Sequence, residues 1–149
     1  MDLKRFEHWQ GGDCYAMATA LHRKSGWPIH AIIETSFKSQ YIAICHAYVV
    51  APDGHAYDAL GKFDPELKRK SYTDLMEMMN WSDDHILKIF RLVTPEVMLT
   101  VLAEQWGTKK LGCNWRADYD LAVPRAQYEL EGPLAKLHRD WLIRVPELS

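Results

Sequence analysis

A single α+β domain is the fold class this sequence predicts, and three observations carry it. A helix-forming run stands directly behind a Gly-Gly-Asp turn, a β-hairpin occupies the middle of the chain, and the length suits one core. The chain has 149 residues, about the usual size of one domain. Hydrophobic residues at 48% and charged residues at 26% are ordinary globular values, and no segment has the polar, highly charged composition of disorder. There are no repeats and no linkers rich in Gly and Ser, so residues 1–149 read as one domain. The expected arrangement is an N-terminal helix packed on a small antiparallel sheet, with additional helices toward the C-terminus.

The first helix is predicted over Cys14 to Lys24, after the turn Trp9-Gln10-Gly11-Gly12-Asp13. The carboxylate of Asp13 suits an N-cap, alanines favour the helix, and Arg23 and Lys24 complement the dipole at its far end. Ser25-Gly26 closes it, with Gly26 in the left-handed conformation. Trp27 to Ile33 reads as a buried strand started by Pro28, and Thr35 to Gln40 as a loop. Tyr41 to Val50, the turn Ala51-Pro52-Asp53-Gly54 and the return from His55 to Leu60 form the hairpin. It places His46 and Asp58 on neighbouring strands. Strand alternation puts His46, Tyr48 and Val50 on one face and Cys45, Ala47 and Val49 on the other.

Beyond Gly61 the expected elements are a short helix from Ser71 through Met79 and a strand over Ile86 to Val93. A helix opened by Thr94-Pro95-Glu96 follows and ends at Gly107. Gly112 to Tyr119 reads as irregular, and Pro133 to about Ile143 as a final helix.

Charge and segment composition set limits on partners. A net charge of -2 gives no electrostatic reason to bind nucleic acid or an anionic membrane, and Lys68-Arg69-Lys70 beside Glu66 reads as a solvated loop or helix end. The N-terminus lacks the apolar core of a signal peptide, and no run of about eighteen apolar residues occurs. A cytoplasmic location is therefore expected. Three cysteines without paired short spacings argue against a disulfide framework and a structural metal. No cofactor is expected.

The residues suited to chemistry are Cys14, His46 and Asp58. A cysteine nucleophile acts as a thiolate, and an unperturbed thiol near neutral pH is mostly protonated. A helix N-terminus and a neighbouring imidazolium lower the pKa, toward roughly 3.5 to 7.5 in activated sites. Cys14 has the first from its position, and His46 can supply the second. Asp58, one strand over, is placed to orient the imidazole, while the Cys14 N-H and the Gln10 amide are candidate oxyanion donors.

Gln10-Gly11-Gly12-Asp13-Cys14-Tyr15, His46-Ala47-Tyr48-Val49-Val50 and Asp58-Ala59-Leu60-Gly61 together resemble the papain-like cysteine peptidase superfamily. Gly-Asp-Cys before an aromatic residue is similar to the calpain nucleophile segment, and the Asp-Cys helix with its His and Asp strands is similar to the small bacteriocin-processing peptidases. The resemblance covers residues 9 to 61. It implies a papain-like fold with Cys14 as nucleophile, His46 as general base and acid, Asp58 as orienter and Gln10 as oxyanion donor. Gln10 lies closer to its cysteine than the corresponding residue does in papain and calpain.

The function expected on these grounds is that of a cysteine-dependent hydrolase or acyl transferase acting on an amide or thioester bond of a peptide, protein or other amide-containing substrate. The competing reading is a non-catalytic papain-like domain that acts as a protein-binding or inhibitory module. Cys14 as a small core residue, His46 as a hydrogen-bonded core histidine and Asp58 as a turn cap are the plain alternatives. Cys45 reads as core and Cys113 as a loop or packing residue. A metal set from Cys45, His46, His55 and Asp58 matches no standard ligand spacing. Met76, Met78 and Met79 read as helix packing.

Overall fold

A computed structural model of the chain describes residues 13–38, 40–79, 84–106 and 115–132. Helix α1 spans Cys14–Ser25 and ends on Gly26, whose φ of 75° is the left-handed cap and whose N-H bonds the His22 carbonyl. The His22 ring then donates from Nδ1 to the Trp27 carbonyl at 2.8 Å, which holds the chain as it turns into the sheet. The expected role of Asp13 is corrected. Its carboxylate makes no capping hydrogen bond, and only its backbone carbonyl accepts, from Ala16 and Met17 at 3.1 and 3.2 Å.

Five strands form one antiparallel sheet in the order β4-β3-β2-β1-β5. They are β1 Ile29–Ser36, β2 Tyr41–Val50, β3 Ala56–Asp58, β4 Gly61–Phe63 and β5 His85–Val93. Strand β1 extends past Ile33 into the segment expected to be a loop, because it lies in the middle of the sheet. Thr35 pairs with Ile42 on one side and Ile86 on the other. The polar side chains that looked loop-like have partners: Glu34 accepts from His85 Nδ1 at 2.5 Å, and the Ser36 hydroxyl donates to Asp84 at 2.6 Å.

Three further helices complete the described residues: α2 Pro65–Met78, α3 Pro95–Trp106 and α4 Trp115–Glu131. Helix α2 begins six residues before the expected Ser71, since the Asp64 carboxylate accepts the Glu66 and Leu67 N-H groups and Pro65 fixes the first φ. Lys68, Arg69 and Lys70 therefore lie within a helix. Helix α3 follows the expected Thr94-Pro95-Glu96 start. Helix α4 replaces the expected irregular stretch from Trp115 onward and carries Pro124 in its interior, a residue that disfavours helix locally. Packing outweighs that cost: Tyr119, Ala122, Val123, Ala126 and Leu130 are buried along one stripe, and the Tyr119 and Thr19 hydroxyls bond at 2.7 Å between α4 and α1. Gly107, Gly112 and the Pro133 to Ile143 helix lie outside the described residues.

The sheet separates two apolar clusters. On one face α1, α3 and α4 enclose the larger, which includes Cys14, Met17, Leu21, Ala47, Val49, Met98 and Leu102. On the other, Ile32, Tyr48, Ala56 and Leu87 meet Phe63 and, from α2, Tyr72 and Met76. Met76 packs as expected, whereas Met78 and Met79 are exposed. No α2 residue is fully buried, so this helix covers its face through a narrow stripe.

These faces set a stability contrast. Leu102 is 0% exposed in the larger cluster and Leu67 is 66% exposed on α2. Leu102→Ala is expected to lower unfolding free energy by about 2–5 kcal/mol, and Leu67→Ala by less than about 0.5 kcal/mol, read from urea denaturation midpoints at equal slope.

Candidate active site

The centre of the site is a buried hydrogen bond between side chains of two strands. His46 Nε2 lies 2.9 Å from Asp58 Oδ2, with the His46 side chain 0% and the Asp58 side chain 5% exposed. The carboxylate accepts the Nε2 proton, which makes Nδ1 the basic nitrogen of the neutral ring. Asp58 also performs the role of the plain alternative, since its Oδ1 accepts the Leu60 N-H at 2.9 Å and closes the turn between β3 and β4. One carboxylate thus fixes both a turn and a ring. Gly61, with φ of 103°, accommodates the backbone there.

A β-bulge decides where the imidazole points. Ile32 pairs with His46 but Ile33 pairs with Ile44, so Cys45 is an extra residue on β2. The strict alternation expected from the sequence fails at this point. Cys45 packs with Tyr48 and Val50 against the second cluster, while Ile44 joins Ala47 and Val49 in the first. The His46 ring lies near Tyr48 at 5.9 Å and meets the edge of Phe63 at 5.6 Å, so Cys45 and His46 are directed to the same side rather than to opposite ones. Cys45 is half-buried, and burial first, then the Glu34 carboxylate, push its thiol up to about 11.

Cys14 approaches the same stretch of β2 from the helix side. The β2–β3 ladder pairs Val49 with Tyr57 and Val50 with Ala56. Beyond it, the Ala47 backbone N-H, one residue after His46, acts to lower the Cys14 pKa. Cys14 is 0% exposed and sits within the larger apolar cluster. Burial pushes its thiol up to about 12, against the smaller lowering effects of the Ala47 N-H and the Lys68 charge. This corrects the expectation of an acidified thiol: loss of hydration outweighs the helix N-terminus, and the resting sulfur carries its proton.

Lys68 is the group that reading the sequence missed. From α2 its Nζ comes within 3.8 Å of Asp58 Oδ2 and 5.3 Å of the Phe63 ring centre. Its charge bears on both Asp58 and Cys14. The signal available in the sequence was the Asp64-Pro65 helix start, which sets the phase that turns Lys68 toward the sheet while leaving Lys70 exposed.

The structure therefore joins His46, Asp58 and Lys68 directly and brings Cys14 to the backbone beside His46. Gln10 and Cys113 lie outside the described residues. His55, considered as a metal ligand, is exposed and pairs with Asp53 at 2.9 Å in the hairpin turn. Among the described residues no group of three or more His, Cys, Asp or Glu is arranged to hold a metal ion, and no helix is long and apolar enough to cross a membrane. No protein family, curated protein or solved structure matches the chain.

The buried thiol gives a pH test. Its ordinary value of 9.0 is raised to about 12 in the fold, so the unfolded chain releases this proton first as pH rises. The contribution is complete below pH 9 and is lost between 9 and about 12. Wild-type stability is expected to fall across that window, and Cys14→Ala to fall less steeply, in denaturant midpoints measured at successive pH values. Equal slopes would show that Cys14 does not ionise differently on unfolding.

Proposed function

We propose that the chain is a cysteine-dependent hydrolase or acyl transferase of papain-like type, acting on an amide or thioester bond through Cys14, His46 and Asp58. The observation that carries this reading is the buried His46–Asp58 bond of 2.9 Å, formed from the strand whose Ala47 N-H acts to lower the Cys14 pKa. A carboxylate on Nε2 sets the basicity and orientation of Nδ1, as a general base requires.

This reading requires His46 Nδ1 to reach the Cys14 sulfur, so that it takes the thiol proton as the sulfur attacks the substrate carbonyl. It then returns the proton to the leaving amine or thiol, and water or an amine releases the acyl group. Asp58 stabilises the imidazolium that forms between these steps. The raised thiol pKa means that the nucleophile is generated by proton transfer during the reaction rather than standing as a thiolate beforehand.

One observation favours a second reading. Cys14 is fully buried among apolar side chains, while the His46 ring packs against Tyr48 and Phe63 of the other cluster. A papain-like domain that binds or inhibits a protein partner without turnover would tolerate that separation.

Alkylation distinguishes the two. With iodoacetamide from pH 5 to 9, Cys14 alkylation is expected to depend on His46, falling at least about tenfold near neutral pH in His46→Ala, while Cys45 alkylation stays unchanged. A Cys14 alkylation profile indifferent to His46→Ala removes the catalytic reading. Retention of full biological effect by a folded Cys14→Ser variant favours the binding module.

A further inference from the structure

We propose that Lys68 is a positioning residue of this centre: its ammonium group, delivered by α2, holds the Asp58 carboxylate charged against His46 and offsets the negative charge of the Cys14 thiolate as it forms. The inference rests on the reading of Cys14 as a nucleophile.

The three basic residues of this run have different environments. Lys70 is exposed, Arg69 is taken by Glu66 and reaches the Leu87 carbonyl, and Lys68 turns inward. Only 24% of the Lys68 side chain is accessible, and its charged end lies between Asp58 Oδ2 at 3.8 Å and the Phe63 ring at 5.3 Å. Its aliphatic stem lies along the apolar surface, and its charged head is directed to the Asp58 carboxylate. Burial lowers the Lys68 pKa, and Asp58 and Cys14 each act to raise it again.

Charge balance gives Lys68 its role. With thiol and imidazole neutral, Asp58 and Lys68 sum to zero. When the S-H bond breaks and the proton forms an N-H bond on His46, thiolate and imidazolium also sum to zero. Without Lys68 the same centre holds a net negative charge before and after the transfer, in surroundings that strengthen every such charge. The charged or titratable groups facing this region from each element are Asp13 ahead of α1, Cys45, His46 and Tyr48 on β2, Asp58 on β3, and Lys68 and Tyr72 on α2. Among those that bear on Cys14, Asp13 and Cys45 oppose its ionisation and Lys68 favours it.

The test compares wild type with Lys68→Met, Lys68→Gln and Lys68→Arg, all checked for folding by thermal melting. Two curves are read against pH: Cys14 alkylation by iodoacetamide, followed by peptide mapping, and the His46 ring resonance in NMR. Removing the positive charge is expected to move both midpoints upward, by about one pH unit. The alkylation rate at pH 7 then drops about tenfold, and Lys68→Arg restores most of it. Two neutral variants keep the test informative if one of them does not fold. Unchanged midpoints in a folded neutral variant, with Cys14 reactivity still dependent on His46, overturn the role of Lys68 and leave the nucleophile reading standing. Lys68→Arg behaving like Lys68→Met also overturns it, because packing of the stem rather than charge would then be responsible. Absence of any His46-dependent midpoint in wild type removes both readings.

Discussion

A carboxylate and an imidazole removed from water together are the constraint on which this structure depends. Asp58 could not be buried alone as a carboxylate, because desolvating an unpaired charge costs enough that the group would take up a proton instead. Its oxygens are satisfied by His46, by the Leu60 N-H and by the approach of Lys68. Those contacts tie β2, the β3–β4 turn and α2 to one point, although α2 itself contributes no fully buried residue. The hold of α2 on the sheet is thus partly electrostatic, with Tyr72 and Met76 supplying the apolar share.

The site lies where the β2–β3 ladder stops. The β2–β3 pairing runs over Val49 and Val50, and beyond it the Ala47 N-H acts to lower the Cys14 pKa. Helix α1 therefore meets β2 from the larger core, while His46, redirected by the bulge at Cys45, meets Asp58 and Phe63 from the other. A regular ladder would have aimed Cys45 and His46 to opposite faces. The bulge and the short β3 are thus part of the site.

Burial and helix position compete at Cys14, and burial prevails. A helix N-terminus stabilises a nearby negative charge by at most about 2 kcal/mol, less than the loss of hydration at a fully enclosed sulfur. The outcome is a protonated resting thiol. This separates the position of a cysteine from its state of ionisation, since local sequence specifies the first and the surrounding core the second.

Much of the fold was legible because it is encoded locally. Asp13 to Gly26, the Ala51 to Gly54 turn and Thr94-Pro95 each announce an element through residues a few positions apart, and these elements formed near the expected places. The pairing of His46 with Asp58 was legible for the same reason, as both flank one hairpin. What the sequence by itself determined, then, was the hairpin, the α1 and α3 helices and the partnership of two residues twelve positions apart. Tertiary structure alone decided the extension of β1 through its polar end, the helix around Pro124, the bulge, the Lys68 contact and the proton on Cys14. Each of these depends on what lies across a strand or helix interface: a second ladder, a buried stripe or the exclusion of water. Such neighbours are distant along the chain, and periodicity within one segment carries no record of them.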